Sequence, residues 1–211
     1  RSLRMLAPPV PANAAAYEAA IRERYGDLAD AWLKLYPAKN LGEATLATPR
    51  DAMYGWTSER LAIKQTALGQ PSYLYLFDHG YPAASEAGLH GFHAAEIPFV
   101  FGTAGDTPPY WPKIPDTVAE RRLATAMGDY WVSFAKTGKP EAAGQAAWRA
   151  YGGDAAFIAF ADIPRPGVRL MPGMYALHET AVCRRRAAGN QPWNWNTGIV
   201  SPVLAKDANC P

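Results

Sequence analysis

Tyr73-Leu74-Tyr75-Leu76-Phe77 is a continuous apolar run, closed by Pro71 on one side and Asp78 on the other. Successive side chains of a strand point to opposite faces, so a run with no polar member asks for cover on both. Strands buried in that way belong to mostly parallel sheets enclosed by helices. The segment therefore predicts an α/β chain with a strand at 73–77. The stretch that follows, residues 78–93, is irregular and rich in Gly. Loops after the carboxyl ends of buried strands are where open α/β sheets assemble their sites.

The flanking sequence supplies helices for such a sheet. Residues 1–12 hold Pro8, Pro9 and Pro11 and read as an extended connector. Asn13 is placed to cap a helix whose face is Tyr17, Ile21 and Tyr25, with Gly26 as its stop. A second helical stretch passes through Leu28, Trp32 and Leu35 up to Pro37, and a third covers much of 51–68. Residues 117–137 carry the clearest pattern. Thr117 and Glu120 form a capping-box pair, Leu123, Met127, Tyr130, Trp131 and Phe134 share a face, and Gly138 and Pro140 end the helix. Further strands are expected at 156–160 and 168–171, and a last helix at 174–186. No internal repeat is visible, and no domain boundary beyond the N-terminal connector.

With 49% apolar and 19% charged residues in 211, the chain has the make-up of one folded domain, not a disordered tail. Seven Trp and eleven Tyr read first as packing. A net charge of +2 is too small to imply a nucleic-acid partner. The only basic cluster, Arg184, Arg185 and Arg186, falls at the end of a helix, where cations suit the dipole and solvate easily. No apolar stretch approaches the ~20 residues of a membrane span. The chain opens on Arg1, so a removed signal, a proteolytic nick or a gap would look the same.

Cys183 and Cys210 are the only two cysteines. A disulfide between them would hold a closing segment rich in Gly, Pro and Asn; the alternative is two buried free thiols. The disulfide points to an oxidising compartment, the periplasm or the exterior.

Of the four histidines, His79, His90 and His93 fall in or at the end of the loop after the apolar run, and His178 lies apart. Three readings stay open on the residues alone. His90, His93 and Glu96 could ligate a metal, although no HExxH pattern is present and no further ligand completes the set. All three histidines could be satisfied loop or core residues. One of them could be a general base. No Gly-x-Ser-x-Gly occurs in the chain, so the turn that exposes a hydrolase serine is not encoded here.

Residues 91–102, Gly-Phe-His-Ala-Ala-Glu-Ile-Pro-Phe-Val-Phe-Gly, resemble the histidine motif of the type-B carboxylesterases, the family of cholinesterases and bacterial para-nitrobenzyl esterases. Residues 73–77 resemble the strand before that motif. Residues 130–140, Tyr-Trp-Val-Ser-Phe-Ala-Lys-Thr-Gly-Lys-Pro, resemble the end of the family's long helix. Residues 148–151 are similar to its Trp-Pro-x-Tyr segment, with Arg149 in place of the Pro, and residues 17–37 to the helical stretch after its acid residue.

This resemblance implies the C-terminal part of an α/β-hydrolase fold, a mostly parallel sheet flanked by helices, over residues 13–211. It implies a serine carboxylic-ester hydrolase with a Ser-Glu/Asp-His triad in which His93 is the catalytic histidine. Because the triad runs Ser, acid, His, the Ser and the acid are expected upstream of Arg1, and Glu18 and Glu23 are rejected as the acid. Glu96 then supports the loop locally, Phe92 and residues 81–91 are candidates to line the substrate pocket, and His79, His90 and His178 are structural. No cofactor and no metal are needed. The expected partners are a small-molecule ester and, in a tight association, the N-terminal part of the same enzyme. The alternative is a cholinesterase-like adhesion protein that keeps the fold and has lost the triad.

Overall fold

The computed structural model describes residues 8–189 and 196–211. In chain order it forms helices α1 (Ala14–Tyr25), α2 (Ala29–Leu35), α3 (Leu41–Arg50) and α4 (Trp56–Ala67), then strand β1 (Leu74–Phe77). Short helices α5 (Pro82–Glu86) and α6 (Ile97–Val100) precede the long helix α7 (Val118–Thr137). Strands β2 (Ala156–Phe160) and β3 (Pro164–Val168) and helix α8 (Met174–Ala187) complete the order. Two compact units result, Arg1–Leu61 with Met171–Pro211, and Ala62–Leu170. Of the expected connector, residues 1–7 lie outside the described residues, and 8–12 hold no helix or strand.

The first unit is helical. Asn13 Oδ1 accepts from Ala16 N at 2.9 Å, and Tyr17, Ile21 and Tyr25 are buried, as their spacing predicts. Tyr25 stacks on Trp32 with ring centroids 3.9 Å apart. Ala44, Ala47, Leu177, Ala181 and Leu204 close the same core. The helix expected at 51–68 is the second half of a longer run, in which α3 passes through a π turn (Asp51–Gly55) into α4. Pro49 has no N–H for the ladder, and the Thr48 hydroxyl donates to Thr45 O at 3.3 Å instead. Asn40 caps α3 by accepting from Glu43 N at 3.1 Å, a start signal that Gly42 and Pro49 obscure in the sequence.

Two expectations about α8 fare differently. Cys183 and Cys210 do form a disulfide, with Cα atoms 5.6 Å apart. Arg184 and Arg185 are not solvated: they are 5% and 4% exposed, while Arg186 faces water. The last turn of α8 docks on the turn between α1 and α2, where the Arg184 guanidinium donates to both carboxylate oxygens of Asp27 at 2.6 and 2.9 Å. That fork holds the Asp27 carboxyl down at about 2.

The second unit carries the sheet, in the order β1-β2-β3. β1 and β2 are parallel, while β2 and β3 are antiparallel, so the sheet is mixed over the described strands. Leu123, Met127 and Tyr130 of α7 are buried with Phe99, Ile158 and Phe160. Cover over β1 is thinner than its apolar run predicts. Tyr75 remains 37% exposed, since Trp131 and Trp148 meet it edge-on at 5.2 and 6.0 Å. Phe134, expected on the buried face of α7, is exposed and touches Tyr73 by an edge at 5.7 Å.

The strand expected at 168–171 lies earlier, at Pro164–Val168, where two prolines mask it. Arg169 N donates to Ala155 O at 3.0 Å. Alternation then turns the nitrogens of Pro166 and Pro164 away from β2, the side on which a missing donor costs no ladder bond.

Candidate active site

The β1 ladder runs one bond past the strand, with Asp78 N donating to Phe160 O at 2.8 Å. The chain then leaves the sheet and comes back on itself. A Cβ at Gly91 would lie 2.9 Å from Phe77 O, and one at Gly80 would lie 3.3 Å from His90 Cα. Backbone contact at these glycines closes the neck of an Ω-type loop, and a side chain at 91 would force it open. The interior is filled by the loop's own residues. Tyr81 and Ala84 are fully buried, Tyr81 OH donates to Pro112 O at 3.0 Å, and Leu89 N donates to Ala84 O at 2.8 Å.

His93 stands two residues beyond this neck, exposed, inside a turn closed by Ala95 N donating to Phe92 O at 2.9 Å. Ala94, the third residue of that turn, has φ +69°, the type II position that favours Gly. A Cβ there costs roughly 1 kcal/mol. His90, with φ +48°, is a second left-handed residue close by. The turn is anchored on both sides: Ala95 and Phe99 are fully buried, and the Phe92 ring lies 4.9 Å from Trp111. The His93 imidazole is thus accessible to a bound partner, on a turn with a firm base.

Among the described residues no three His, Cys, Asp or Glu side chains are placed to hold a metal ion together, so His90, His93 and Glu96 do not form a ligand set. Glu96 lies close enough to Tyr75 for its charge to add to burial in raising the Tyr75 phenol. His178, in the other unit, is 2% exposed, and its Nε2 meets Tyr36 OH at 2.9 Å. Burial pushes the His178 imidazole down to about 4.

His79 is the histidine whose surroundings the sequence concealed. It is 7% exposed, and its Nε2 lies 2.7 Å from Oε2 of Glu120, itself 8% exposed. Thr117 and Glu120 make half a capping box. Glu120 N donates to Thr117 Oγ1 at 3.2 Å, but Thr117 N donates to Pro115 O at 2.9 Å, and the Glu120 carboxylate turns inward to His79. His79 Nδ1 is 3.5 Å from Asp162 Oδ1 and makes no hydrogen bond. A carboxylate three residues after a helix cap was the available signal, read as ordinary capping.

A parallel strand pair, a covering helix and a histidine loop at the strand end define the class: part of an α/β-hydrolase. The chain belongs to the carboxylesterase family, whose profile matches residues 4–167. It is 31% identical over 147 residues to fumonisin B1 esterase of Sphingopyxis macrogoltabida, covering 63% of this chain and 25% of that protein. To acetylcholinesterase of Electrophorus electricus it is 30% identical over 108 residues, covering 51% and 16%. The solved structure of a PNB esterase superposes with a TM-score of 0.61 at 24% identity, covering 78% of this chain and 33% of the other. The chain thus spans a quarter or less of the length of these curated relatives.

Proposed function

We propose that the protein carrying this chain hydrolyses carboxylic esters through an acyl-enzyme, with His93 as its general base. One observation carries the reading. The family's histidine motif coincides with a Gly-closed loop that returns to the end of β1 and leaves His93 exposed on an anchored turn. His93 takes the proton of a serine hydroxyl as the oxygen attacks the ester carbonyl, then gives it to the departing alcohol. Water repeats the sequence and releases the acid. The serine and the acidic triad member come from polypeptide N-terminal to Arg1, in tight association with this chain, and the chemistry uses no cofactor. The Cys183–Cys210 disulfide supports a periplasmic or secreted location.

The test is turnover of para-nitrophenyl acetate by the whole protein. His93→Ala is expected to lower kcat by about 1,000-fold or more with the fold intact. A loss below about tenfold would remove His93 from the mechanism.

A further inference from the structure

We infer that His79, clasped to Glu120, is a positioning residue for His93. The inference rests on the reading of His93 as the base. Both residues belong to the segment that leaves β1: His79 follows Asp78 directly, and His93 follows the Gly91 neck. His79 points into the unit, where Phe77, Tyr81 and Phe99 surround its ring at 6.2, 6.2 and 5.4 Å. Phe99 lies in α6, just after the His93 turn, and Glu120 lies in the first turn of α7. The pair thus ties the entry of the loop to α7, while the same ring packs against the helix that receives the loop's exit.

Two features mark the pair as more than filler. Glu120 withdraws from its own cap to make the contact, leaving Thr117 N to Pro115 O. The pair is also nearly sealed from water, and removing one partner strands the other. Asp162 is a second carboxylate beside the ring; it is largely exposed and forms no hydrogen bond to it. Loss of the clasp frees the neck, and the geometry of His93 loosens before the unit unfolds. An error of about 1 Å in a catalytic group costs on the order of 100-fold in rate.

The experiment measures kcat and KM for an activated ester on the whole protein, with active sites counted by burst titration. His79→Ala is expected to lower kcat per titrated site by about 10- to 100-fold, with KM within about threefold of wild type. His79→Gln, whose amide still donates to Glu120, should recover most of the loss. Glu120→Ala gives the same split and serves if His79→Ala does not fold. Wild-type kcat per titrated site in His79→Ala or Glu120→Ala would overturn the inference, since a purely structural pair changes only how many sites are folded. His93→Ala is measured alongside. If it is inactive while His79→Ala is unimpaired, only the positioning role falls; if it keeps wild-type turnover, the base reading falls and this inference with it.

Discussion

In the helical unit, His178 is packed among Trp32 and Tyr36, bonded to the Tyr36 hydroxyl and held neutral by burial. In the sheet unit, His93 stands exposed on a turn whose neighbours, Ala95 and Phe99, are buried in its place. The same side chain sits in opposite surroundings. Around His178 the backbone is regular helix, and the imidazole serves the core. Around His93 two non-glycine residues, His90 and Ala94, adopt left-handed φ, and the side chain of His93 is exposed. Burial makes His178 a packing residue that stays neutral near pH 7, while an anchored turn with left-handed residues keeps His93 at the surface.

The contrast is broken most sharply by exchanging its readouts. His93→Ala should cost at least about 4 kcal/mol of transition-state stabilisation and shift thermal stability little. His178→Ala should do the reverse, costing about 2–3 kcal/mol of stability with kcat per folded site nearly unchanged. Parallel melting curves and steady-state assays check both, and a His178 variant that is stable but inactive would erase the distinction.

Reduction comes next. Cys183 and Cys210 close a loop with a sequence separation of 27, and opening it is expected to cost about 3.5 kcal/mol. The loss should fall on the helical unit, measured as hydrogen exchange in α1, α2 and α8 with and without reductant; equal loosening of β1 and β2 would contradict it.

Acid should also act on the helical unit. The His178 imidazole is depressed from 6.5 to about 4 in the fold, so the unfolded chain binds the extra proton first. Its contribution is complete above 6.5 and is lost as pH falls towards 4, by about 3 kcal/mol in all. Urea midpoints between pH 7.5 and 4 should show this slope, and His178→Gln should flatten it. The smallest effect belongs to the other histidine's turn. Ala94→Gly should relieve φ +69° and raise stability by about 1 kcal/mol, read as a shift in urea midpoint.

Long, regular features were legible in the sequence. The caps at Asn13 and Thr117, the Tyr17, Ile21 and Tyr25 face and strand β2 follow from local rules, and the structure has them; it also has the disulfide, which the sequence weighed against two free thiols. What local rules miss is decided by distant partners. Pro164 and Pro166 read as breakers until β2 supplies a strand on their other side. Arg184 reads as a solvated cation until Asp27 is folded against it. The π turn after Pro49 has no simple sequence period. At the candidate site, the motif singles out His93 as the residue to test, and the need for Gly91 follows only from the return of the loop to Phe77. The His79–Glu120 clasp joins residues 41 positions apart and has no local signature at all.

The central claim, that this chain supplies the base of a serine esterase, is tested most directly by a fluorophosphonate probe that captures activated serines. The whole protein is labelled, digested and mapped, as wild type and as His93→Ala. The account predicts a single adduct on a serine outside these 211 residues, with labelling slowed by at least about 100-fold in the variant. An adduct on a residue of this chain, or labelling of His93→Ala at the wild-type rate, would contradict it.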